Sequence, residues 1–408
     1  MGCVVKKKIL FVMNGMNIGG AERALLGLLS AIDYEKYSVD LFLLSHRGEL
    51  MGYIDERVNI LPRDKRLSIY ARPLKSVIKS GNFSAAWGRI RAKYAAKKFN
   101  KKHCFRQSSC VELEYSHKYT VKNLPMINPE VTYDLAVSFI TPPYIVAQKV
   151  NAKKKVAWIH TDYSSIEIDA ESEFKMWNAY NRIISISESV TEGFLTKFPL
   201  LKDKITVIEH IIPRDFIHSQ AESIEAYTAD ESMPHSDGVI NFLSIGRFCF
   251  AKNFDNVPEI CKLIREKGVD VKWYLIGFGP DETLIREKIE EFGMQEHVII
   301  LGKKTNPYPY LVKCDYYIQP SRYEGSAVTV CEALAMHKTV IVADYLTAES
   351  QIKNGIDGII VPQENIPCAD AIYDFINNYE LQEKIKKNVA ENDYTKKQEV
   401  LKLQQLAE

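Results

Sequence analysis

Two basic side chains stand close together on one predicted loop. Arg247 and Lys252 follow Gly246, which comes directly after the apolar run Ile240–Ile245. A planar guanidinium and a compact ammonium suit the oxygens of a diphosphate. A glycine at the carboxyl end of a parallel strand lies where doubly wound sheets place their ligands. The segment therefore predicts a diphosphate site, with two solvated loop charges as the competing interpretation.

Two carboxylates lie eight positions apart, where a predicted strand passes into a predicted helix. Glu324 precedes this helix, and Glu332 lies about two turns further along. Free amides at a helix N-terminus attract anions, so we expect an anion between the two carboxylates. The amides that would hold it belong to Gly325, Ser326, Ala327 and Val328. Isolated glutamates are usually solvated, but an acid beside an apolar helix start is less often so.

Glycines follow two further predicted strands. Gly19 and Gly20 open a helix after the first apolar run, and Gly277 follows the run Val271–Ile276. Such glycines allow close approach of a phosphate, but a tight turn without a ligand explains them equally well. The pattern Gly-x-Gly-x-x-Gly is absent, which disfavours a dinucleotide-dependent oxidoreductase.

Short apolar runs that alternate with amphipathic stretches predict the elements that position these residues. Near-continuous Val, Ile and Leu runs are typical of parallel strands covered on both faces, so we predict an α/β fold with doubly wound sheets. The predicted strands are Ile9–Met13, Val39–Leu44, Val58–Leu61, Leu135–Ile140, Val156–His160, Ile183–Ile186, Ile205–Ile208, Ile240–Ile245, Val271–Ile276, Val298–Leu301, Tyr316–Ile318, Thr339–Val342 and Gly358–Val361.

The length of 408 residues predicts two or three domains. We place a first Rossmann-like domain at residues 1–215 and a second, nucleotide-binding one at 216–389, facing each other across a cleft. The polar, acidic stretch Ser219–Asp237 is interpreted as a linker or surface loop. Glu380–Leu406 has one continuous helical pattern, and its end, about residues 390–408, is a candidate to pack back on the first domain.

The composition, 46% hydrophobic and 26% charged, is that of a globular protein. No apolar run approaches the roughly 20 residues of a membrane-spanning helix. Five apolar residues after Lys6–Lys8 are too few for a secretory signal, so we predict a cytoplasmic protein. The eight cysteines form no Cys-x-x-Cys pair, and no metal site or cofactor is predicted.

The net charge of +1 conceals a basic segment at residues 63–124, with 16 Lys and Arg against 3 Asp and Glu. Within it, Phe83, Trp87, Ile90 and Tyr94 recur at helical spacing and share one stripe. Basic residues flank this stripe: Arg91, Lys98, Lys101 and Lys102. The pattern favours a helix on an anionic membrane surface, which would make the protein peripheral on the inner face of the plasma membrane. The alternative is that the stripe packs on the first domain's core. No nucleic-acid partner is predicted.

Taken together, these residues resemble the retaining glycosyltransferases of family 4. The strongest matches are the Arg247/Lys252 pair and the Glu-x7-Glu spacing of Glu324 and Glu332. Weaker matches follow in the expected order: Gly-Gly-Ala-Glu-Arg at 19–23, Trp-Ile-His at 158–160, Ile-Ser-Ile-Ser-Glu-Ser at 184–189 and Asn-Pro-Tyr-Pro-Tyr at 306–310. The resemblance covers nearly the whole chain but is faint between residues 63 and 124. This family has the GT-B fold and includes many bacterial enzymes that build capsule, lipopolysaccharide and other surface glycans.

The resemblance implies roles for residues of the second domain. Arg247 and Lys252 would bind the donor diphosphate and offset charge on the departing nucleotide. Glu332 would accept hydrogen bonds from the ribose hydroxyls. Glu324 would contact hydroxyls of the transferred sugar, beside the amides of Gly325 and Ser326.

The resemblance also implies roles in the first domain. Gly19 and Gly20 would approach the donor phosphates, and His160 would lie near the anomeric centre. A lone histidine at the end of an apolar strand is more often structural, but its matching context favours the functional interpretation. Asp162 and Glu22 stay open.

Two positions depart from the family pattern. Glu209-His210-Ile211 stands where an Asn followed by Gly is usual, which leaves the turn between the domains in doubt. Asn253 replaces a common Gly after Lys252.

The implied activity is metal-independent transfer of a hexose or N-acetylhexosamine, with retention of configuration. The donor would be a nucleoside diphosphate sugar, most often a UDP-sugar in this family, and the acceptor a glycan or lipid-linked sugar. A sugar-nucleotide epimerase of the same fold and a non-catalytic nucleotide-sugar-binding protein are the alternatives.

Overall fold

The computed structural model describes residues 6–70, 72–105, 109–223 and 225–408. The chain divides into two compact units. The first unit comprises the chain up to Ile211 together with Lys397–Glu408, and the second comprises Ile212–Lys396. The predicted boundaries, after residues 215 and 389, lie a few residues from these divisions.

The first unit is built on a parallel sheet of seven strands in the order β3-β2-β1-β4-β5-β6-β7. The strands are β1 (Lys7–Met13), β2 (Tyr37–Leu43), β3 (Asn59–Ile60), β4 (Tyr133–Ser138), β5 (Ala152–Trp158), β6 (Arg182–Ser185) and β7 (Ile205–Val207). Because β1 pairs with both β2 and β4, the strand order reverses at β1, and this is where doubly wound sheets open a crevice.

Helices connect most of these strands along the chain. The α-helices of the first unit are α1 (Gly20–Ala31), α2 (Leu74–Lys79), α3 (Phe83–His103), α4 (Val111–Thr120), α5 (Tyr144–Lys149), α6 (Ala170–Asn178), α7 (Glu188–Lys197) and the C-terminal helix Val400–Ala407. Its 3₁₀ helices are Met51–Tyr53, Leu67–Ile69, Val121–Asn123, Tyr163–Ser165, Pro199–Lys204 and Lys397–Glu399.

The second unit contains a parallel sheet of six strands in the order β10-β9-β8-β11-β12-β13. The strands are β8 (Ile240–Ile245), β9 (Val271–Ile276), β10 (Val298–Gly302), β11 (Tyr316–Gln319), β12 (Thr339–Ala343) and β13 (Gly358–Val361). Here the order reverses between β8 and β11. This unit therefore repeats the doubly wound arrangement of the first.

The α-helices of the second unit are α8 (Arg214–Ala221), α9 (Glu225–Ser232), α10 (Val257–Glu266), α11 (Glu282–Glu291), α12 (Tyr308–Lys313), α13 (Val328–Ala335), α14 (Ala348–Gln351), α15 (Asn365–Ile376) and α16 (Tyr379–Glu391), and Phe250–Lys252 is a 3₁₀ helix. The C-terminal helix Val400–Ala407 is therefore α17. Each unit has its own apolar core around its sheet.

All thirteen predicted strands are present, with ends that differ by a few residues. The difference matters at Val156–His160, because β5 ends at Trp158 and leaves His160 in the loop that follows. The apolar runs identified the strands because the central strands are buried on both faces of a parallel sheet, whereas the edge strands β3, β7 and β10 are only partly buried.

Two predictions about irregular and helical segments are wrong. Ser219–Asp237 is mostly helical and lies inside the second unit, because Ala221, Ala229 and Met233 pack into that unit's core. The pattern Glu380–Leu406 is two helices rather than one, since the chain leaves helical geometry at residues 392–396, with a positive φ at Lys396. The second of these, α17, packs into the core of the first unit.

Among the described residues, no helix is both long enough and apolar enough to cross a bilayer.

Candidate active site

The topology of the second unit brings two predicted segments together. Residues 246–253 follow β8 and residues 320–325 follow β11, and β8 and β11 are neighbours at the point where the strand order reverses. Ligands of open α/β sheets bind outside the carboxyl ends of the strands at such a point. The two segments most strongly implicated by their residue types therefore share one edge of this sheet.

A third loop, after β9, lies directly against the loop after β8. The Phe248 amide donates to the Phe278 carbonyl at 2.9 Å, and the Gly246 amide donates to the Ile276 carbonyl at 3.0 Å. A Cβ at Gly277 would overlap the Gly246 carbonyl oxygen, and a Cβ at Gly279 would overlap that of Phe248. Both glycines are therefore explained by close packing of two backbones. The predicted contact of Gly277 with the donor stays a prediction.

Lys252 and Glu324 form an ion pair across the two segments. Both side chains are mostly shielded from solvent. The Glu324 carboxylate also accepts hydrogen bonds from the Ser321 hydroxyl at 2.6 Å and from the Gln319 side-chain amide at 3.1 Å. Three donors thus fix this carboxylate and hold its negative charge beside the ammonium of Lys252.

The sequence did not indicate a role for the side chains of Gln319 and Ser321. They stand at alternate positions at and just after the end of β11, and the Gln319 amide also donates to Ser321 at 2.8 Å. Tyr317 donates to the Gln319 oxygen at 2.6 Å and so fixes the orientation of that amide. Their spacing of two, Tyr-x-Gln-x-Ser, places them on one face of the strand and is the pattern that would have revealed them.

Arg322, which follows β11, also connects the same two segments. Its guanidinium donates to both carboxylate oxygens of Asp255, at 2.9 and 2.7 Å, and to the Phe250 carbonyl at 2.7 Å. It also stacks over the Phe250 ring. A bidentate pair has defined geometry, so this contact restrains the loop that carries Lys252.

Arg247 and Asn253 flank Lys252 on this loop. Arg247 is exposed, and the described residues include no ion-pair partner for it. Asn253 is buried with a φ of 60°, and its side-chain amide donates to the Pro320 carbonyl at 2.9 Å. Asparagine tolerates this left-handed conformation better than most residues. The departure from the family's Gly is therefore accommodated without loss of the turn.

The amides before α13 are only partly available for an anion. The Ala327 amide donates to the Gln351 side-chain oxygen at 3.1 Å, and the Gln351 amide donates back to the Ala327 carbonyl. Four equivalent amides were predicted, but Gln351 occupies one of them. The amides of Gly325 and Ser326 donate to no acceptor within the described part of the chain. Val328 begins the helix itself and is buried.

Glu332 is buried on α13, with 2% of its surface exposed. Its carboxylate accepts a hydrogen bond of 2.8 Å from the hydroxyl of Tyr308, on α12. A buried carboxylate needs such a partner, so Tyr308 sets the orientation of Glu332. Tyr308 lies in the predicted motif at residues 306–310, but its role was not foreseen, because its partner comes from another helix.

In the first unit, Gly19 and Gly20 lie at the predicted strand-to-helix turn. Gly19 is the residue before α1, and a Cβ there would overlap the Glu22 carboxylate. Burial raises the pKa of Glu22 above its ordinary value. Glu22 therefore packs against the turn. This packing gives Glu22 a structural role, which the sequence had left undecided.

His160 follows β5 and packs beside two aromatic rings. Its imidazole is parallel to Trp158, with ring centres 6.3 Å apart, and lies 4.7 Å from the ring of Phe139. Burial, together with nearby His210, lowers the pKa of His160 to about 3, so the imidazole is neutral at pH 7. Its Nε2 atom is buried without a hydrogen-bond partner in the described residues. The ring is thus able to donate or accept one hydrogen bond, but not to supply charge.

Asp162, two residues later, has a structural contact of its own. Its carboxylate accepts hydrogen bonds from the Ser164 amide at 2.9 Å and from the Ser164 hydroxyl at 2.7 Å. These contacts cap the 3₁₀ helix Tyr163–Ser165.

Comparison with known proteins finds a family match within the second unit. Residues 228–392 match the model of the family described as Glycosyl transferases group 1. The matched span covers about two fifths of the chain. It contains the Lys252–Glu324 pair, Glu332 and all three loops that meet at the strand ends.

Individual relatives match parts of the chain at low identity. The α-D-kanosaminyltransferase of Streptomyces kanamyceticus is 26% identical over 36% of this chain and 39% of its own length. The capsular polysaccharide biosynthesis glycosyltransferase CapM of Staphylococcus aureus is 26% identical over 50% of this chain and 55% of its own length. The chain thus spans between about two fifths and just over half of these two relatives.

Solved structures match over nearly the whole chain. HepE of Anabaena, in complex with UDP and glucose, superposes with a TM-score of 0.67 at 15% identity and covers 98% of this chain and 100% of its own. TarM, with the same TM-score and identity, covers 100% of both chains. At this identity the likeness establishes the fold, which is the two-sheet GT-B arrangement predicted from the sequence.

Proposed function

We propose that the protein is a retaining glycosyltransferase of family 4. It transfers a hexose or N-acetylhexosamine from a nucleoside diphosphate sugar, UDP being the favoured nucleotide, to a glycan or lipid-linked acceptor of a cell-surface polysaccharide. The observation that carries the proposal is the Lys252–Glu324 pair at the point where the strand order of the second unit reverses. HepE bound to UDP and glucose, and the capsular enzyme CapM, support the donor and the pathway class.

The residues of the second unit supply electrostatic stabilisation in this proposal. Arg247 and Lys252 neutralise charge that develops on the leaving diphosphate, which is often the largest contribution in such reactions. Glu324, fixed by three donors, orients hydroxyls of the transferred sugar and keeps Lys252 in place. Glu332 accepts hydrogen bonds from the ribose. The amides of Gly325 and Ser326 are available to the donor.

Retention of configuration follows in this proposal from attack on the face that the leaving group departs from. In the described part of the chain, Glu324 has no carboxylate among its hydrogen-bonding partners that would pair with it in the two-step route of retaining hydrolases. The leaving phosphate would take the acceptor's proton. His160 is proposed as a neutral hydrogen-bonding group, because burial lowers its pKa far below neutrality.

The decisive experiment is a screen of isotopically tagged nucleotide sugars with and without polysaccharide-type acceptors. We expect transfer to an acceptor with the anomeric configuration retained, and slow donor hydrolysis without one. Formation of an epimeric nucleotide sugar without any acceptor would instead identify an epimerase. Tight nucleotide-sugar binding without turnover on any acceptor would identify a binding protein.

Metal independence is a separate part of the proposal. Arg247, Lys252 and backbone amides take the place of a divalent cation at the diphosphate. Turnover measured after EDTA treatment should equal that of the untreated enzyme. Loss of activity that Mg²⁺ or Mn²⁺ restores would contradict this assignment.

A further inference from the structure

Helix α3 has two faces of opposite character. The buried side chains of α3 are all small: Ala85, Ala86, Gly88, Ala92 and Ala96. Ala92 and Ala96 pack with Val111 and Tyr115 of α4, and the half-buried Phe99 joins them. A Cβ at Gly88 would overlap the Thr120 side chain, so the two helices approach closely there. Small side chains and Phe99 thus attach α3 to the first unit, and its other large apolar side chains lie on the opposite face.

The opposite face is an exposed aromatic stripe. Phe83, Trp87 and Tyr94 are 68%, 64% and 80% exposed, and Ile90 between them is also exposed. At 100° per residue these four side chains fall within a sector of about 60°. The alternative in which this stripe packs on the core of the first unit is therefore wrong. Four large apolar side chains exposed along one stripe of a helix are typical of an interaction site.

Lysines continue the stripe toward the C-terminal end of α3. Lys97, Lys98 and Lys101 are exposed and lie within about 50° of the centre of the stripe. The helix contains seven Lys and Arg but no Asp or Glu. Arg89, on another side, is not part of this surface, because its guanidinium donates to the Ile69 and Arg72 carbonyls at 3.1 and 2.7 Å.

We propose that this face of α3, the aromatic stripe with its three lysines, docks on the surface of a bilayer that contains anionic lipid. Trp and Tyr side chains favour the headgroup level of a membrane, and lysines beside them pair with lipid phosphates. The exposed Ile78 of α2, flanked by exposed Lys75 and Lys79, extends the same combination onto the preceding helix.

Charge argues against a second copy of the chain as the occupant. A two-fold symmetric contact would place the same patch on both subunits. Such a contact would bring the positive charge of both helices into one interface, with no acidic residue of α3 to balance it. An anionic lipid surface complements the whole stripe instead.

The fluorescence of Trp87 can report this docking. Of its four tryptophans, Trp158, Trp177 and Trp273 are buried, whereas Trp87 lies on the stripe. Adding vesicles of phosphatidylcholine with phosphatidylglycerol to the full chain should shift the tryptophan emission to the blue and protect it from acrylamide quenching. Pure phosphatidylcholine should do neither. Trp87→Phe should abolish the spectral change while retaining most of the binding in a sedimentation assay.

Charge variants separate docking from unfolding. Lys97→Glu, Lys98→Glu and Lys101→Glu together should lower the affinity for the anionic vesicles by at least about 100-fold. The matched control reverses three exposed lysines of α16, Lys384, Lys386 and Lys387, and should bind as the unaltered chain does. High salt should weaken binding of the unaltered chain.

Four results would overturn the proposal. The first three are binding that ignores lipid charge, equal loss in the α16 control, and a triple variant that still binds. A fourth is a spectral change of Trp87 that depends on protein concentration alone, since that would identify the stripe as a contact between copies. All of these assays measure binding to vesicles. Their results therefore do not depend on whether the protein transfers a sugar.

Discussion

Lys252 and Arg247 lie on one loop but differ in what each contributes. Lys252 is largely buried in an ion pair with Glu324, whereas Arg247 is exposed. Removing Lys252 leaves a shielded carboxylate with two neutral donors and no counter-charge, which costs stability as well as function. Removing Arg247 leaves no such group behind.

We therefore expect Arg247→Ala and Lys252→Ala each to lower turnover by about 10- to 1000-fold, the upper limit corresponding to about 4 kcal/mol of transition-state stabilisation. Only Lys252→Ala should also lower the free energy of unfolding, by about 1–3 kcal/mol. Steady-state kinetics and urea unfolding of both variants test the contrast. Unaltered turnover in the folded double variant would refute the diphosphate assignment.

Substitution of Glu332 and substitution of Glu324 should have different effects. Glu332→Gln should raise the apparent constant for the donor, because an amide accepts hydrogen bonds from ribose hydroxyls less strongly than a carboxylate. Tyr308→Phe should have a weaker effect in the same direction, since Tyr308 orients Glu332. Glu324→Gln should lower turnover and leave the affinity for free nucleoside diphosphate largely intact. Calorimetry with UDP and kinetics with the sugar nucleotide distinguish these roles, and identical behaviour of the two glutamine variants would disprove them.

His117 gives a pH-dependent stability that is unrelated to the site. Burial, and to a lesser extent the charge of Arg89, lowers its pKa from 6.5 to about 3. Between these pH values the unfolded chain binds a proton that the folded chain does not, so the free energy of unfolding falls as the pH falls. The slope is about 1.4 kcal/mol per pH unit.

His117→Phe should flatten this dependence, because phenylalanine keeps a ring stacked on Tyr70 and has no proton to bind. Urea unfolding at pH 7, 6 and 5 measures the difference between variant and unaltered chain, in which the other titrating groups cancel. Parallel pH profiles would show that His117 is accessible to protons in the folded state.

At the scale of elements, strand ends are positioned by contacts between loops. The loop after β9 lies on the loop after β8 so closely that neither Gly277 nor Gly279 has room for a Cβ. The loop that carries Arg247 and Lys252 therefore lies against backbone on this side, in addition to the side-chain contacts of Arg322 and Asn253.

Gly279→Ala should consequently destabilise the protein by about 1–3 kcal/mol and weaken nucleotide binding, because the two loops must separate. Gly52→Ala is the matched control, since the space around Gly52 is open and its φ is not positive. Thermal unfolding and nucleotide titration of both variants make the comparison. If both variants unfold at the same temperature and bind nucleotide equally well, the two loops can separate without loss of stability.

At the scale of the whole molecule, the chain ends in the unit where it began. Leu403 of α17 is fully buried in the first unit's core, and the Tyr37 hydroxyl donates to the Gln404 carbonyl at 3.4 Å. The C-terminal helix therefore stabilises a sheet whose strands all lie between Lys7 and Val207.

Leu403→Ala should lower the stability of the first unit by about 2–5 kcal/mol through the cavity that it leaves. Hydrogen exchange should accelerate at amides of β1 and β2 and stay unaltered in β8 and β9. Leu401→Ala, on the exposed side of the same helix, is the control and should change neither. Faster exchange in both sheets would show that the two units unfold together.

The sequence by itself determined the two sheets and which candidate site residues of the second unit lie at their strand ends. Every predicted strand exists, because burial in a parallel sheet, complete at the centre and partial at the edges, requires an apolar run that is visible locally. Lys252 and Glu324 were identifiable because each follows a strand end, and parallel strands bring their carboxyl ends to one edge. Composition alone failed for residues 219–237, where a few buried apolar side chains make polar segments helical.

Only the tertiary structure decided which partners these residues have. Gln319 and Ser321 bond Glu324, Tyr308 bonds Glu332, and Gln351 occupies the Ala327 amide. Whether the stripe of α3 is covered or exposed was likewise undecided, because its periodicity fits both outcomes. The physical reason is the same in each case. Local spacing fixes the direction of a side chain relative to its own element, whereas its neighbours depend on which distant segments the fold places beside it.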